Sequence, residues 1–430
     1  MNFINVIGAG LAGCEAAHQL SRRGIKVHLY EMKPNKYTPA HSYSGFAELV
    51  CSNSLRSDRL ENAVGLLKEE LRLCGSLIMR AADETKVPAG GALAVNRRDF
   101  SDYITREITD DPNIQLFTQE LTEIPTDAIT IVATGPLTSD ALADSIAKLT
   151  GGEGLHFFDA AAPIVSAQSI DFSRAYEASR YDRGSDYINC PMEADEYAAF
   201  YNELINAECA QLHGFEDKSV FEGCMPVEVM AKRGEKTLLF GPLKPVGLID
   251  PHTGKEPFAV VQLRKEDAEG TMYNLVGFQT HLKFPEQRRV FSMIPGLTNA
   301  EFIRYGVMHR NTYLDSPRLL DAHYRLREND NIYFAGQMTG VEGYVESTAS
   351  GYYCAISAAA QLSGEALPEY SDATAIGALA NYVSSSASAD FQPMNINYGI
   401  IRASDKKIRK KAERYAYLAE RSLAEIKSLI

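Results

Sequence analysis

The chain has 430 residues and a formal net charge of −13 at pH 7, with 45% of its residues hydrophobic, a globular composition long enough for two or three domains. No basic stretch precedes the first apolar run and no uninterrupted apolar segment is long enough for a bilayer, so export and membrane insertion are not expected and the cytoplasm is. Seven cysteines, odd in number and without CxxC spacing, argue against a disulfide framework and a zinc site, and no metal is expected. The acidic average counts against a polyanionic partner, yet residues 401–430 hold nine Lys or Arg against four Asp or Glu, leaving −18 on the other 400 residues. A basic surface on an acidic body therefore remains open to RNA.

The first element is a strand, Phe3 to Ile7, running into Gly8-Ala9-Gly10-Leu11-Ala12-Gly13 and a helix. A second apolar run, Ile25 to Tyr30, is closed by Glu31. Strand, glycine turn, helix, strand and acid in this order are the requirements of a dinucleotide site. Gly8 permits the tight turn, Gly10 lets backbone approach a pyrophosphate, and Gly13 lets the helix lie on the strand. The helix N-terminus favours the phosphates and Glu31 accepts from ribose hydroxyls.

Further along, Leu60, Val64, Leu67 and Leu71 recur at helical spacing, predicting a helix over 58–74 that starts at Asp58-x-x-Glu61 and stops at Gly75. The stretch 127–135 reads as a buried parallel strand ending in an Ala-Thr-Gly turn at Gly135, and 331–336 reads as another. Between them, 236–241, 258–264 and 273–280 are β-rich runs with turns between, predicting an antiparallel sheet in an inserted α+β domain. The organisation expected is residues 1–160 with 325–430 as one domain and 161–324 as the insertion. Pro191 to Asp217, with seven acids and no Lys or Arg, reads as a solvated helical face. A final helix from about 404 to 430 places Ile408, Ala412, Tyr415, Ala419, Leu423 and Ile426 on one stripe. Lys406, Lys407, Lys410 and Lys411 fall outside that stripe and are candidate RNA contacts.

Cys14, Cys74, Cys190, Cys209 and Cys354 read as small buried hydrophobes. Cys51 stands five residues before Arg56, whose charge would favour a thiolate if the chain folds back on itself. Cys224 stands in a loop ahead of Lys232 and Arg233.

The late stretch Phe334-Ala-Gly-Gln-Met-Thr-Gly-Val-Glu-Gly-Tyr-Val-Glu-Ser-Thr-Ala-Ser-Gly351 resembles the additional FAD-contacting turn of two-dinucleotide-domain flavoproteins, and more narrowly that of the GidA-type flavoproteins that modify tRNA. The segments 48–57, 90–97, 221–228 and 241–247 resemble the short branch of that family, the folate- and FAD-dependent tRNA (uracil-5-)-methyltransferases. The resemblance runs over nearly the whole chain. It implies an FAD-binding, Rossmann-like α/β fold. It also implies transfer of a one-carbon unit from 5,10-methylenetetrahydrofolate, through reduced FAD and with NAD(P)H as reductant, to C5 of the T-loop uridine of tRNA, with no obligatory protein partner.

On that reading Gly336, Gln337, Gly343 and Tyr344 join the first glycine turn and Gly135 at the cofactor, and His309 and Arg310 are candidate folate contacts. Cys224 and Cys51 are the catalytic thiols, Cys224 adding to C6 and Cys51 serving as the second thiol, or with these roles exchanged. Arg97 either contacts cofactor or caps local structure. The alternatives are the longer GidA-type enzyme acting on the wobble uridine and an FAD/NAD(P)H oxidoreductase of a small metabolite.

Overall fold

A computed structural model describes residues 3–126, 128–151, 155–160, 162–181, 184–210, 225–267, 269–306, 308–385 and 391–430, with 155–160 and 308–312 described by backbone alone. The first strand, Phe3–Ile7, is the centre of a five-stranded sheet, flanked by Lys26–Glu31 on one side and Thr130–Val132 on the other. Ile114–Thr118 and Ile332–Phe334 form the two edges, and every pairing in this sheet is parallel. Ile4, Val6, Val27 and Leu29 are fully buried, as strands covered on both faces must be. The Rossmann-like α/β reading holds.

Two helices beside this sheet pack closely on each other: Leu11–Ser21 and the 20-residue helix Tyr344–Ser363. Gly351 is the reason they approach so closely, because a Cβ there would stand 2.2 Å from the carbonyl oxygen of Ala12. Small buried residues on both helices, Ala12, Ala16, Ala355 and Ala358 among them, complete the contact.

A second sheet of six strands is antiparallel throughout, with strands drawn from residues 164–304. The long strand Ala259–Lys265 pairs with Tyr187–Met192 and with Met272–Leu275. Its apolar face packs on the helix Ala194–Asn206 through Phe200, Leu204 and Phe278. The strands Leu155–Ala160 and Met308–Tyr313 pair with each other where the chain passes between the two sheets.

Four local expectations are corrected. Residues 237–240 form a 3-10 turn rather than a strand: Leu238 and Leu243 are buried, so the Gly241-Pro242 reversal turns Phe240 out to solvent. The strand expected over 273–280 ends at Leu275, where the chain turns through Gly277 at φ +78°. The helix expected from Asp58 begins at Ala63, because Ser54–Ser57 pairs with Ala92–Val95 and the Asp58 N–H donates to the Gly91 carbonyl, which keeps Leu60 exposed. The last helix begins at Lys411; Lys406, Lys407, Arg409 and Lys410 would repel the positive end of a longer helix, and these four stay outside it. Asp127, and residues 211–217 of the acidic stretch, lie outside the described residues.

Candidate functional site

The first glycine turn has the geometry a pyrophosphate requires. Gly8 sits at φ +97°, and a Cβ there would meet the Ala133 carbonyl oxygen at 2.7 Å. Gly13 is more constrained still, with a Cβ falling 1.8 Å from the Gly8 carbonyl oxygen. Gly10 is different: the nearest protein atom to its Cβ would be 4.0 Å away, so its hydrogen faces open space. The helix Leu11–Ser21 starts at Gly10 with no capping side chain and no acid in its first turn, leaving its N–H groups for an anion.

Leu11 and Ala12, its first two residues, are buried at the start of that helix. Glu31 accepts from the N–H of Ala9 at 2.8 Å and from that of Lys33 at 2.9 Å, fixing its carboxylate at the end of the second strand. Gly8, Gly10, Glu31, Lys33, His41 and Thr134 line a cavity of about 650 Å³. Gly135 closes the turn after Thr134 at φ +70°.

A second cavity, about 1030 Å³, is lined by Cys51, Arg56, Arg264, Gln337, Gly343 and Tyr344, among others. The segment 46–51 separates the two: Ala47 donates its N–H to the Ala9 carbonyl at 2.9 Å, Ala47 and Glu48 line the first cavity, and Cys51 lines the second. The helix Tyr344–Ser363 begins at this second cavity, with Gly343 at φ +118° as an N-cap that offers no side chain. Gly336, at φ +87°, donates its N–H to Ser350 Oγ at 2.7 Å, and Gln337 Nε2 donates to both oxygens of Glu342 at 2.8 and 2.9 Å. Glycine turns and open helix N-termini that suit a dinucleotide are thus present at both cavities, on either side of segment 46–51.

Cys51 is held from two directions. The Tyr344 hydroxyl accepts from the N–H of Cys51 at 2.8 Å and of Ser52 at 3.2 Å. From the antiparallel sheet, Arg264 donates through Nη2 to Ser52 Oγ at 2.6 Å and through Nε to Asn53 Oδ1 at 2.9 Å. Asn53, fully buried, passes its own amide to the carbonyls of Val95 at 3.0 Å and Lys265 at 2.8 Å. Burial pushes the Tyr344 phenol well above its ordinary pKa and pulls the Arg264 guanidinium below its own. Arg56, at φ +63°, is engaged by the buried carboxylate of Glu346, which also accepts from the Ile396 N–H at 3.0 Å. The helix thereby holds the far end of the loop as well.

Arg97 caps nothing, because the side chain of Asn96 does that for the helix Arg97–Thr109. It binds the buried carboxylate of Glu266 at 2.6 Å and donates to the Leu49 carbonyl. Burial works against its charge, but Glu266 outweighs that and its pKa is raised. Beside it Arg304 buries Nε and Nη2 with no protein partner among the described residues. Burial first, then Arg97, lowers its pKa. Serine, asparagine and arginine at 52, 53, 264 and 304 were not anticipated. The available signal was a charge, Arg264, in the otherwise buried strand Ala259–Lys265.

Of the remaining sequence-based candidates, Cys224 lies outside the described residues, and His309 and Arg310 are described by backbone alone, paired with Asp159 and Phe158. Cys14, Cys74, Cys190 and Cys354 are buried as expected, whereas Cys209 is only half-buried. It stands with His281 and Glu228, the three ligating atoms within 4.8 Å of one another. His281 Nδ1 lies 2.6 Å from Glu228 Oε1; burial opposes its charge, but Cys209 and Glu228 raise its pKa to about 9. Lys406, Lys407, Lys410 and Lys411 are exposed, at and just before the start of the last helix, and line neither cavity. Among the described residues no helix is long and apolar enough to cross a membrane.

Residues 3–366 match the family described as glucose inhibited division protein A. Methylenetetrahydrofolate--tRNA-(uracil-5-)-methyltransferase TrmFO of Acetivibrio thermocellus is 61% identical over 431 residues, covering 100% of this chain and 99% of that protein. The protein of the same name from Listeria monocytogenes serotype 4b is 59% identical over 425 residues, covering 99% and 98%. Among solved structures, Aquifex aeolicus GidA in its form II crystal superposes with a TM-score of 0.72 at 15% identity, over 99% of this chain and 73% of that one, a likeness of fold. With most of its length matched by the family and its whole length by such relatives, the chain belongs to the glucose inhibited division protein A family, in its TrmFO group.

Proposed function

We propose that this chain transfers the one-carbon unit of 5,10-methylenetetrahydrofolate, by way of reduced FAD and at the expense of NAD(P)H, to C5 of the T-loop uridine of tRNA, giving 5-methyluridine. Its relatives over the full length are named methylenetetrahydrofolate--tRNA-(uracil-5-)-methyltransferase, which supports the folate donor, the tRNA substrate and the uracil C5 target. The structural observation that carries the reading is the position of Cys51: a backbone fixed from two directions, lining a cavity at the end of segment 46–51, whose Ala47 bonds to the dinucleotide turn at Ala9.

C5 of uracil is a poor nucleophile until a thiolate adds at C6, and a base must afterwards remove the C5 proton. Cys224 adds at C6 in this assignment, and Cys51 accepts the proton or meets the transferred carbon; exchanged roles are the alternative. Val227, three residues after Cys224, donates its N–H to the carbonyl of Gln279, a wall residue of the Cys51 cavity, which supports a role for both thiols in one site. FAD, when bound, supplies reducing equivalents and carries the one-carbon unit. The protein's part is to hold the phosphates at Gly8–Gly13, to fix the Cys51 loop through Tyr344 and Arg264, and to exclude water from the cavity between the sheets. His309 and Arg310 as folate contacts, and Lys406, Lys407, Lys410 and Lys411 as RNA contacts, belong to the same proposal, as do the division at residues 160 and 325, cytoplasmic action, and independence of a protein partner.

The test is incubation of the purified protein with an unmodified tRNA transcript, labelled methylenetetrahydrofolate and NADPH, followed by mapping of the label. Label at the T-loop uridine is expected, and none with Cys224→Ala despite normal bound FAD. Label elsewhere, or full activity in that variant, refutes the assignment.

A further inference from the structure

The most exposed large hydrophobic side chain among the described residues, Phe240, lies beside the Cys51 cavity rather than in it. Phe240 is 83% exposed, although its neighbours Leu238 and Leu243 are fully buried. The turn that presents it is well anchored: Leu243 donates its N–H to the Leu238 carbonyl at 2.9 Å and accepts from Val260 at 3.1 Å. Phe240 is therefore held outward by a fixed backbone.

Pro242 ties this turn to the cavity wall. Gly277, which lines the Cys51 cavity, sits at φ +78°, and a Cβ there would fall 2.6 Å from Pro242 Cβ. Val246 and Ile249, a few residues on along the chain, are also exposed, as is Tyr181. Tyr181 is itself at φ +61°, donates its N–H to the Gly247 carbonyl at 2.8 Å, and lays its ring against Gly247. Arg180 donates to the Val246 carbonyl at 2.8 Å from the adjoining edge.

Charge selects the occupant. Between residues 227 and 249 one carboxylate is exposed, Glu235, while Lys232, Arg233 and Lys236 are all exposed and Lys244 is half-exposed. Outward aromatic rings interleaved with cations suit an unstacked nucleobase with its neighbouring phosphates, since every base offers a π face and every phosphate a charge. A uridine that must enter a cavity between two sheets leaves its stack, and the nucleotides beside it need a resting place.

We propose that the Phe240 turn, with Val246 and Tyr181, is the platform on which an unstacked base of the RNA loop rests while the target uridine occupies the Cys51 cavity. This rests on the tRNA reading above. The test compares Phe240→Ala, Phe240→Leu and Phe240→Trp with wild type for KM toward unmodified tRNA, kcat, NADPH-driven FAD reduction without RNA, and sedimentation. Alanine and leucine are expected to raise KM for tRNA about tenfold with kcat and FAD reduction unchanged, and tryptophan to restore it. A normal KM in Phe240→Ala or Phe240→Leu overturns the platform, as does conversion of a dimer to monomers by Phe240→Ala, which would assign the patch to a second copy. If the wild type itself methylates no tRNA, the functional reading fails, and the platform with it.

Discussion

Replacing Tyr344 by Phe keeps the ring at the head of the helix Tyr344–Ser363 and removes one oxygen, the oxygen that accepts from both Cys51 and Ser52. Each hydrogen bond is worth about 1 kcal/mol net, so the loop loses about 2 kcal/mol of restraint. At about 1.4 kcal/mol per factor of ten, the population with Cys51 released from its position rises roughly 30-fold. Arg264 and Asn53 still hold the following residues, so the fold survives with a lowered denaturant midpoint.

The assay is iodoacetamide alkylation of Cys51, followed by peptide mass spectrometry, alongside single-turnover methyl transfer. Faster alkylation with slower transfer and intact FAD content is expected. Loss of FAD with unchanged Cys51 reactivity would show that the hydroxyl serves the cofactor. Wild-type rates in both measurements would falsify the clamp.

Three further outcomes are expected. Gly10→Ala should fold with unaltered apo stability, since the added methyl finds no protein atom closer than 4.0 Å, but bind less FAD, seen as a lower ratio of 450 to 280 nm absorbance. Gly13→Ala should instead lose about 1–3 kcal/mol of stability, because its methyl meets the Gly8 carbonyl; equal behaviour of the two variants refutes the cradle. His281, raised to about 9 by its partners once burial is overcome, contributes stability that is fully present below its unfolded pKa of about 6.5 and is lost as pH rises through about 9. Thermal midpoints should fall over that window in the wild type and stay flatter in His281→Gln; identical pH profiles would deny the Glu228 pair a role. Reversing Lys406, Lys407, Lys410 and Lys411 to Glu should weaken tRNA binding and lower the slope of log affinity against log salt, by up to about three for single-stranded contacts. An unchanged slope removes the terminal helix from the RNA surface.

The dinucleotide half of the site was legible because its constraint is local. Strand period, three glycines and a terminal acid lie within the first 31 residues, and each glycine meets a backbone neighbour or an open ligand space that sequence spacing alone implies. The terminal helix was legible as a stripe but not in its start, because periodicity reports which residues face the core and is silent on the repulsion among cations at the helix head. Residues 236–241 were misread for a related reason. An alternation of apolar residues describes a strand only where a partner strand exists, and here Leu238 and Leu243 bury themselves against each other's turn while Phe240 faces water.

The Cys51 clamp belongs to neither class, since Tyr344 and Arg264 stand 293 and 212 residues from the atoms they hold. Nothing in local periodicity relates them, yet the position of the Cys51 loop depends on both. Arg264 is a cation taken from water, and such a charge costs stability unless its donors are met; its Nε and Nη2 are met by Asn53 and Ser52 of the thiol loop. Dissolving that contact therefore leaves a buried charge unsatisfied in the antiparallel sheet while freeing a thiol beside the parallel one. This short loop is one of the links between the two sheets, beside the Arg97–Glu266 pair, and its position is set by how both are packed. A substitution in either sheet that shifts Arg264 or Tyr344 should thus change transfer of the one-carbon unit before it changes binding of the dinucleotide, since neither residue hydrogen-bonds to the turn at Gly8–Gly13, which is held by the parallel strands and the helix Leu11–Ser21.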